Sequence, residues 1–477
     1  MVHPEAGNLG GSGYLLARMA DGRASVIDYI GTAPGASKPG MFATPQEANL
    51  GFKSVAVPGT PAGMGAAHEK FGKLKWRDCL EPAYRLAKDG FPASLRMELI
   101  LKLQVPVMKR YSEAARLFLH GGEQPLKQGE KLVQPDLAAT IRRMQKLGWQ
   151  EFYTGRTAEL IAADMQANGG IITREDLRSY RADVRTPLEL LYRGHPVLTT
   201  PLSSSGGLTV AVALNVIEQH ELPLGREGSA RVRHLQIEAL RRGFEARRDL
   251  VERGALPYDR AIGKDYARQV AADLSLEQAT SRPRTAASES PEESADTTHF
   301  TIIDAQGNVV TNTYTLSGFY GSQVIAKGTG VLLNNNMSVF SNRPGRANSV
   351  APGKRYASTM SPTLILRPDR TPWVAFGTPG GNTIPSTLFQ IVTNLIDFKM
   401  SLRDAIEFPR VHYDLQTNRI DAEPAALVYD VADRLEKMGH RVNPRLRSQG
   451  DVSAVAIEDN WRVGWADGRR GGVVRGY

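Results

Sequence analysis

The chain has 477 residues, 41% of them hydrophobic and 23% charged, with a formal net charge of +9 and a single cysteine. That length holds one large domain or about two to three ordinary ones, and the balance is typical of globular proteins. With no run of about eighteen apolar residues, no membrane-spanning helix is predicted. Cys79 cannot close an internal disulfide, and no Cys–His cluster has the spacing of a metal site.

The N-terminal MVHPEAGNLGG has neither the basic segment nor the apolar segment of a signal peptide. GNLGGSGYLLARM and ASVIDYIG, apolar runs broken by glycine, predict strands and tight turns through about residue 60. From about Met64 to Ile161 the pattern is helical, and WRDCLEPAYRLAKDG and LAATIRRMQKLG each stop at a glycine. Cys79 lies in the first of these and is expected to be a small buried apolar residue. Residues 184–217 predict a strand, a PLSSSGG turn and an apolar helix, LTVAVALNVIE.

Two more helical stretches run from about 229 to 276. They begin with the densest basic segment, RVRHLQIEALRRGFEARRDLVERG. Val232, Leu235, Ala239 and Leu240 form its apolar stripe, and the arginines mostly fall off it. A solvated helix face is therefore expected, not a nucleic-acid surface. Neither zinc-finger spacing nor an RNP-like aromatic motif is present.

Composition then shifts. ATSRPRTAASESPEESAD, 279–296, has no apolar residue larger than alanine and is expected to be a mobile tether. Closely spaced strands follow to about residue 378, then helices near 382–398 and 426–439 and a strand pair near 452–466. Hairpins rather than βαβ crossovers predict antiparallel sheets packed with helices. No internal repeat occurs.

The tether abuts a hairpin. HFTII and VVTNTYT flank DAQGN at 304–308. If 303 pairs with 309, Thr297 falls opposite Thr315, close enough for their hydroxyls to hydrogen-bond. One face then carries Thr297, His299, Thr301, Thr311, Thr313 and Thr315, and the other Phe300 and Ile302. Threonine favours strands for its own sake. The tether adds a second reading: cleavage between Asp296 and Thr297 would make Thr297 an N-terminus. Its α-amino group, with a pKa of about 7.7–8.0, would then serve as base for its own hydroxyl.

The motifs TTHFTIIDAQGNVVTNTYTL, GVLLNNNMSVFS, MSPTLIL and GTPGGNT closely resemble those of the small subunit of γ-glutamyltranspeptidases. Upstream, HPEAGNLGGSGY, VPGTPAGM, NGGIITREDL and PLSSSGG are similar as well, so the resemblance covers essentially the whole chain. It implies an α+β fold, the four-layer αββα sandwich of N-terminal-nucleophile hydrolases, made as one chain that cuts itself. Residues 1–296, including the tether, would be the large-subunit region and residues 297–477 the small catalytic one, together forming a single domain and a heterodimer.

Carried over, Thr297 matches the nucleophile, Thr315 the threonine that hydrogen-bonds it, and Gly380 and Gly381 the oxyanion-hole glycines. In isolation PGG is an ordinary turn signal. Ser358 and Thr359 match residues that hold a substrate α-carboxylate, and Asn336 one that helps hold its α-amino group. Ser317 takes the place of a third polar binding residue. On the residues alone Ser358, Thr359 and Asn336 would be surface polar groups.

The departures concern the substrate. Ile30 stands where the family has an arginine for the α-carboxylate, and Val339 where it has an aspartate for the α-ammonium. Arg355 or Lys354 are the cations that could compensate. The loop SNRPGRANSVAPGKRYAST is short, implying a site without a lid. The family also has a strand and a helix before HPEAGNLGG, usually after a signal peptide. A longer form so equipped would be periplasmic or secreted, whereas the chain as written would stay in the cytosol.

The expectation is a γ-glutamyltransferase-like amidohydrolase that acts on γ-glutamyl amides such as glutathione and passes the acyl group to water or to an amino-acid or peptide acceptor. No metal or organic cofactor, nucleic acid or membrane partner is expected. The alternatives are an acylase for a less charged donor, resembling cephalosporin and glutaryl acylases, and an unprocessed, catalytically silent relative.

Overall fold

The computed structural model describes residues 2–280, 296–444 and 448–476. Nearly all of the expected tether, 281–295, lies outside the described residues. The first strands are β1 (Ser12–Arg18) and β2 (Ala24–Asp28), followed by the helices α1 (Thr60–Phe71) and α2 (Trp76–Asp89). Next come β3 (Asp183–Arg185), β4 (Leu188–Tyr192), β5 (His195–Thr199), and the long helices α3 (Ser205–Ile217) and α4 (Ala230–Arg247). The hairpin strands are β6 (Asp296–Ile303) and β7 (Val309–Ser317). Beyond them lie β8 (Thr363–Leu366), β9 (Pro372–Gly377), α5 (Ile384–Ile396), β10 (Ser453–Glu458) and β11 (Trp461–Ala466).

Two antiparallel sheets organise these elements. One has the order β6-β7-β1-β2-β3, the other β11-β10-β9-β8-β5-β4. Alternation along SGYLLAR sorts β1 between two environments. Tyr14 and Leu16 join the main core, while Leu15 and Ala17 face Met64 and Phe71 of α1. The sheets approach closely where the hairpin crosses β9 and β10. Thr311 Oγ1 donates to Phe376 O and Thr301 Oγ1 to Ser453 O, both at 3.3 Å. A Cβ on Gly377 would lie 2.3 Å from the His299 ring, so the approach requires glycine there.

α3, SGGLTVAVALNVI, is buried all round, as its nearly continuous apolar sequence demands. Its first turn is capped by the Ser204 hydroxyl, which accepts from Gly206 N at 3.1 Å. α4 packs beside it and corrects one expectation in part, because Arg231 is exposed but three of its arginines do not face solvent. Arg233, Arg241 and Arg242 are buried. Arg242 donates to Glu238 Oε2 at 2.7 Å and to Val270 O at 2.5 Å, Arg233 to Pro409 O at 2.9 Å and Arg241 to Thr280 O at 2.6 Å. Periodicity identifies an apolar stripe; it is blind to a polar face covered by carbonyls and carboxylates from remote segments.

Cys79 is the other correction, for it is exposed. α2 buries the stripe through Trp76, Leu80, Ala83, Tyr84 and Ala87, and Cys79 falls beside it.

Candidate active site

The hairpin closes with the register its loop predicts, Thr297 opposite Thr315 and Ile303 opposite Val309. DAQGN supplies the turn: Gly307 is left-handed at φ 84°, and Asn308 N donates to Asp304 Oδ1 at 2.9 Å. At the far end the register slips between Asp296 and Thr297, where Ser317 faces Asp296 at φ 82°. The Asp296–Thr297 peptide thus sits at a β-bulge, a device that re-aims backbone groups.

The polar groups at this bulge converge. Thr297 Oγ1 donates to Thr315 Oγ1 at 3.2 Å, and Thr315 Oγ1 donates in turn to the Asp296 carbonyl oxygen at 2.8 Å. Ser317 N donates to Thr315 Oγ1 at 2.8 Å, fixing that hydroxyl from behind. Phe319 N donates to Asp296 Oδ2 at 3.2 Å. Asp296, Thr297 and Thr315 are all buried.

Below them the threonine face encloses an imidazole. His299 Nδ1 lies 2.7 Å from Thr313 Oγ1, and Nε2 lies 2.9 Å from Thr301 Oγ1 and 3.0 Å from Thr311 Oγ1. Burial pushes its pKa down to about 3, so it stays neutral at ordinary pH. A cavity of about 550 Å³ opens beside Thr297, with Thr298, Arg96, Asp451 and Arg470 among its lining residues. Burial pushes the Asp451 carboxyl up to about 6; Arg470 draws it down and Asp467 drives it further up. Sequence reasoning passed over Asp451 and Arg470, which isolated positions do not single out.

Gly380 and Gly381 occupy the turn between β9 and α5, at φ 140° and 54°, conformations that favour glycine. Their carbonyls accept from Thr383 Oγ1 and Thr359 Oγ1, each at 2.9 Å, and neither N–H makes a hydrogen bond among the described residues. Ser358 and Thr359 are fully buried rather than on the surface, with Met360 N donating to Ser358 Oγ at 3.1 Å.

Asn336 is also fully buried, in a 3-10 turn over the first residue of β1. Its Nδ2 donates to Ser12 Oγ at 2.7 Å, and Ser12 Oγ lies 2.7 Å from Tyr356 OH. Ser12 and Tyr356 were missed, although alternation in SGYLLAR already puts Ser12 on the inner face with Tyr14. Ser317 lies at the bulge, and its neighbours reach the Asn336 turn: Asn335 N donates to Leu316 O at 3.0 Å and Gly318 N to Asn335 Oδ1 at 2.8 Å.

The two candidate compensating cations already have partners within the chain, and Arg355 lies against Ile30 itself. Arg355 donates to Ile30 O and Arg181 O at 2.6 Å each, and pairs with Asp28 at 3.6 Å and Asp183 at 3.5 Å. Burial works against its charge, but Tyr180, Asp28 and Asp183 outweigh that and hold its pKa above the usual value. Lys354 Nζ donates to Ala347 O at 2.5 Å and Ser349 O at 2.9 Å. Ile30 and Val339 are buried in the main core.

Against this geometry stand the comparisons with known proteins. The family model described as Gamma-glutamyltranspeptidase matches residues 1–477. The chain is 35% identical over 497 residues to the glutathione hydrolase proenzyme of Pseudomonas aeruginosa, covering 99% of this chain and 87% of that one. It is 36% identical over 462 residues to the acylase ACY 1 proenzyme of Pseudomonas sp. strain V22, covering 94% and 81%. Among solved structures, cephalosporin acylase from Bacillus halodurans superposes with a TM-score of 0.85 at 25% identity, covering 98% of this chain and 87% of that one. The γ-glutamyltranspeptidase of Helicobacter pylori matches with a TM-score of 0.56 at 34% identity, over 58% and 82%.

Proposed function

The chain belongs to the γ-glutamyltranspeptidase family, and from that premise we propose that it is a self-cleaving threonine amidohydrolase. The two facing sheets and their helices are read as the four-layer αββα sandwich of N-terminal-nucleophile hydrolases. Residues 1–296 become a large subunit and 297–477 a small one, and the two remain together as a heterodimer.

The observation that carries this reading is the hydrogen-bonded path from the Thr297 hydroxyl through Thr315 to the Asp296 carbonyl. The Thr297 oxygen attacks the Asp296 carbonyl carbon. Its proton passes to Thr315 Oγ1, and Thr315 delivers its own proton to the carbonyl oxygen. Collapse breaks the C–N bond, the Thr297 nitrogen takes up that proton, and an ester joins Asp296 to Thr297 Oγ1. Water hydrolyses the ester, leaving an Asp296 carboxylate and a Thr297 amine.

That amine then acts as base for the same hydroxyl against a small-molecule amide. Thr315 orients the nucleophile, and the N–H groups of Gly380 and Gly381 stabilise the oxyanion, at about 3–4 kcal/mol per donor. The amide nitrogen leaves protonated, and water or an amine releases the acyl group from Thr297.

Among acyl donors, γ-glutamyl compounds such as glutathione are one reading and less charged acyl groups a second. The second is favoured by Arg355 and Lys354, whose donors are taken up by backbone carbonyls and, for Arg355, by Asp28 and Asp183. Intact-mass measurement after incubation at neutral pH tests the proposal. Two species divided between Asp296 and Thr297 are expected. A single 477-residue species would favour a silent, unprocessed relative.

A further inference from the structure

Thr297, Thr315 and Ser12 pair in succession across three strands. Gly13 and Tyr29 exchange backbone hydrogen bonds at 3.4 and 3.0 Å, which carries the same row on to Ile30. Side chains directly opposite share a face, so one row runs from the candidate nucleophile to Ile30. Above its middle, Asn336 and Tyr356 meet on the Ser12 hydroxyl. Asn336 spends its N–H on Ser12, and its buried Oδ1 has no hydrogen-bond partner among the described residues. A buried carbonyl oxygen of this kind requires a donor.

The surroundings select the donor's charge. Ile30, Met337 and Val339 are buried apolar neighbours in the main core. The carboxylate nearest along the sheet is Asp28, paired with Tyr14 in the β1–β2 register. It is already held by Ile30 N at 3.1 Å, by the Ser203 hydroxyl, by Arg185 at 3.3 Å and by Arg355 at 3.6 Å. An ammonium group here would gain no carboxylate of its own. A carboxylate would bring only acceptors to an acceptor.

We propose that Ser12, Asn336 and Tyr356 are specificity-determining residues for uncharged acyl groups, so that the chain acts on amides of short acyl chains bearing a terminal hydroxyl or amide N–H. This rests on the amidohydrolase reading above and names the acyl class for it. Thr297 and Ser12 are two ladder spacings apart, about 10 Å between Cα atoms. With the three bonds from Thr297 Cα to the acyl carbon, four along a five-carbon chain and one to its terminal oxygen, each roughly 1.25 Å of reach, such a chain spans about 10 Å and ends about level with Ser12.

The test compares 5-hydroxypentanoyl, pentanoyl, glutaryl and γ-glutamyl anilides with the matured protein. The hydroxylated neutral donor should exceed the other three in kcat/KM by about tenfold or more. Asn336→Leu should erase its advantage over the pentanoyl anilide through KM, with kcat within about threefold. Tyr356→Phe, the milder change, should reduce the same advantage severalfold.

A preference for the γ-glutamyl or glutaryl anilide would overturn the inference while leaving the amidohydrolase reading intact. So would a matured protein inert toward the hydroxylated donor, or variants that weaken all four substrates equally. Absence of self-cleavage would instead sink the amidohydrolase reading, and this one with it.

Discussion

The row of side chains that crosses the first sheet has two unlike regions. At the hairpin end, Thr297 and Thr315 lie on adjacent strands joined by a five-residue turn, and their hydroxyls lead to the Asp296 carbonyl. Farther along the row, beyond Thr315, Ser12, Asn336 and Tyr356 come from three remote segments and meet in a buried neutral cluster. The first region is built from local contacts and is the one we propose breaks the amide. The second is built from long-range contacts and is the one we propose recognises the acyl group. On that reading, reaction and specificity rest on different physical scales of the same sheet and can be perturbed separately.

The sharpest break in that comparison is Thr297→Ala. It should abolish both self-cleavage, read by intact mass, and anilide hydrolysis, read by kcat/KM, by about 10⁴-fold or more, since the proposed reaction uses no other nucleophile. Thr315→Val should come next. Losing the hydroxyl that polarises the Asp296 carbonyl should slow self-cleavage about 10²–10³-fold, followed as the decay of full-length mass. Retained cleavage in Thr315→Val would show that the hairpin end works without its relay.

Smaller effects test the scaffold beneath that end. Gly377→Ala would set a methyl group against the His299 ring and should cost about 1–3 kcal/mol in a denaturant titration. An unchanged midpoint would mean that the sheets are not in close contact there.

His299 adds a pH dependence. Its folded pKa of about 3 lies below the unfolded value of about 6.5. Its contribution is therefore full above about pH 6.5 and lost as the pH falls toward 3, because the unfolded chain takes up the proton first. His299→Gln should flatten that acid limb of a Tm-against-pH curve.

Asp451 should give the smallest shift and the opposite sign. Burial raises its pKa to about 6, so ionisation opposes folding as the pH rises through that value. Asp451→Asn should gain about 1–2 °C in Tm at pH 8 and nothing at pH 4.

Much of this architecture is legible in the sequence. The hairpin is, because a short turn fixes a register and alternation then assigns every side chain to a face. α3 is, because an uninterrupted apolar helix has nowhere to go but the interior. α4 is only half legible: its apolar stripe marks the helix, but the Pro409, Val270 and Thr280 carbonyls that bury its arginines come from remote positions. Cys79 went wrong for the complementary reason, since residue type alone put it inside and its place beside the stripe put it outside.

What the sequence determined by itself was therefore the local part: the strand pair, the facing threonines and the tether composition before Thr297. Those depend on neighbours along the chain and on the period of the backbone. Tertiary structure alone decided that Ser12 and Tyr356 meet under Asn336, that Arg355 is engaged by Ile30 O and Asp28, and that an imidazole lies walled in against Gly377. These are contacts across more than seventy residues, up to 344 in the case of Ser12 and Tyr356. They depend on how two sheets stack, and no periodicity along the chain records the stacking.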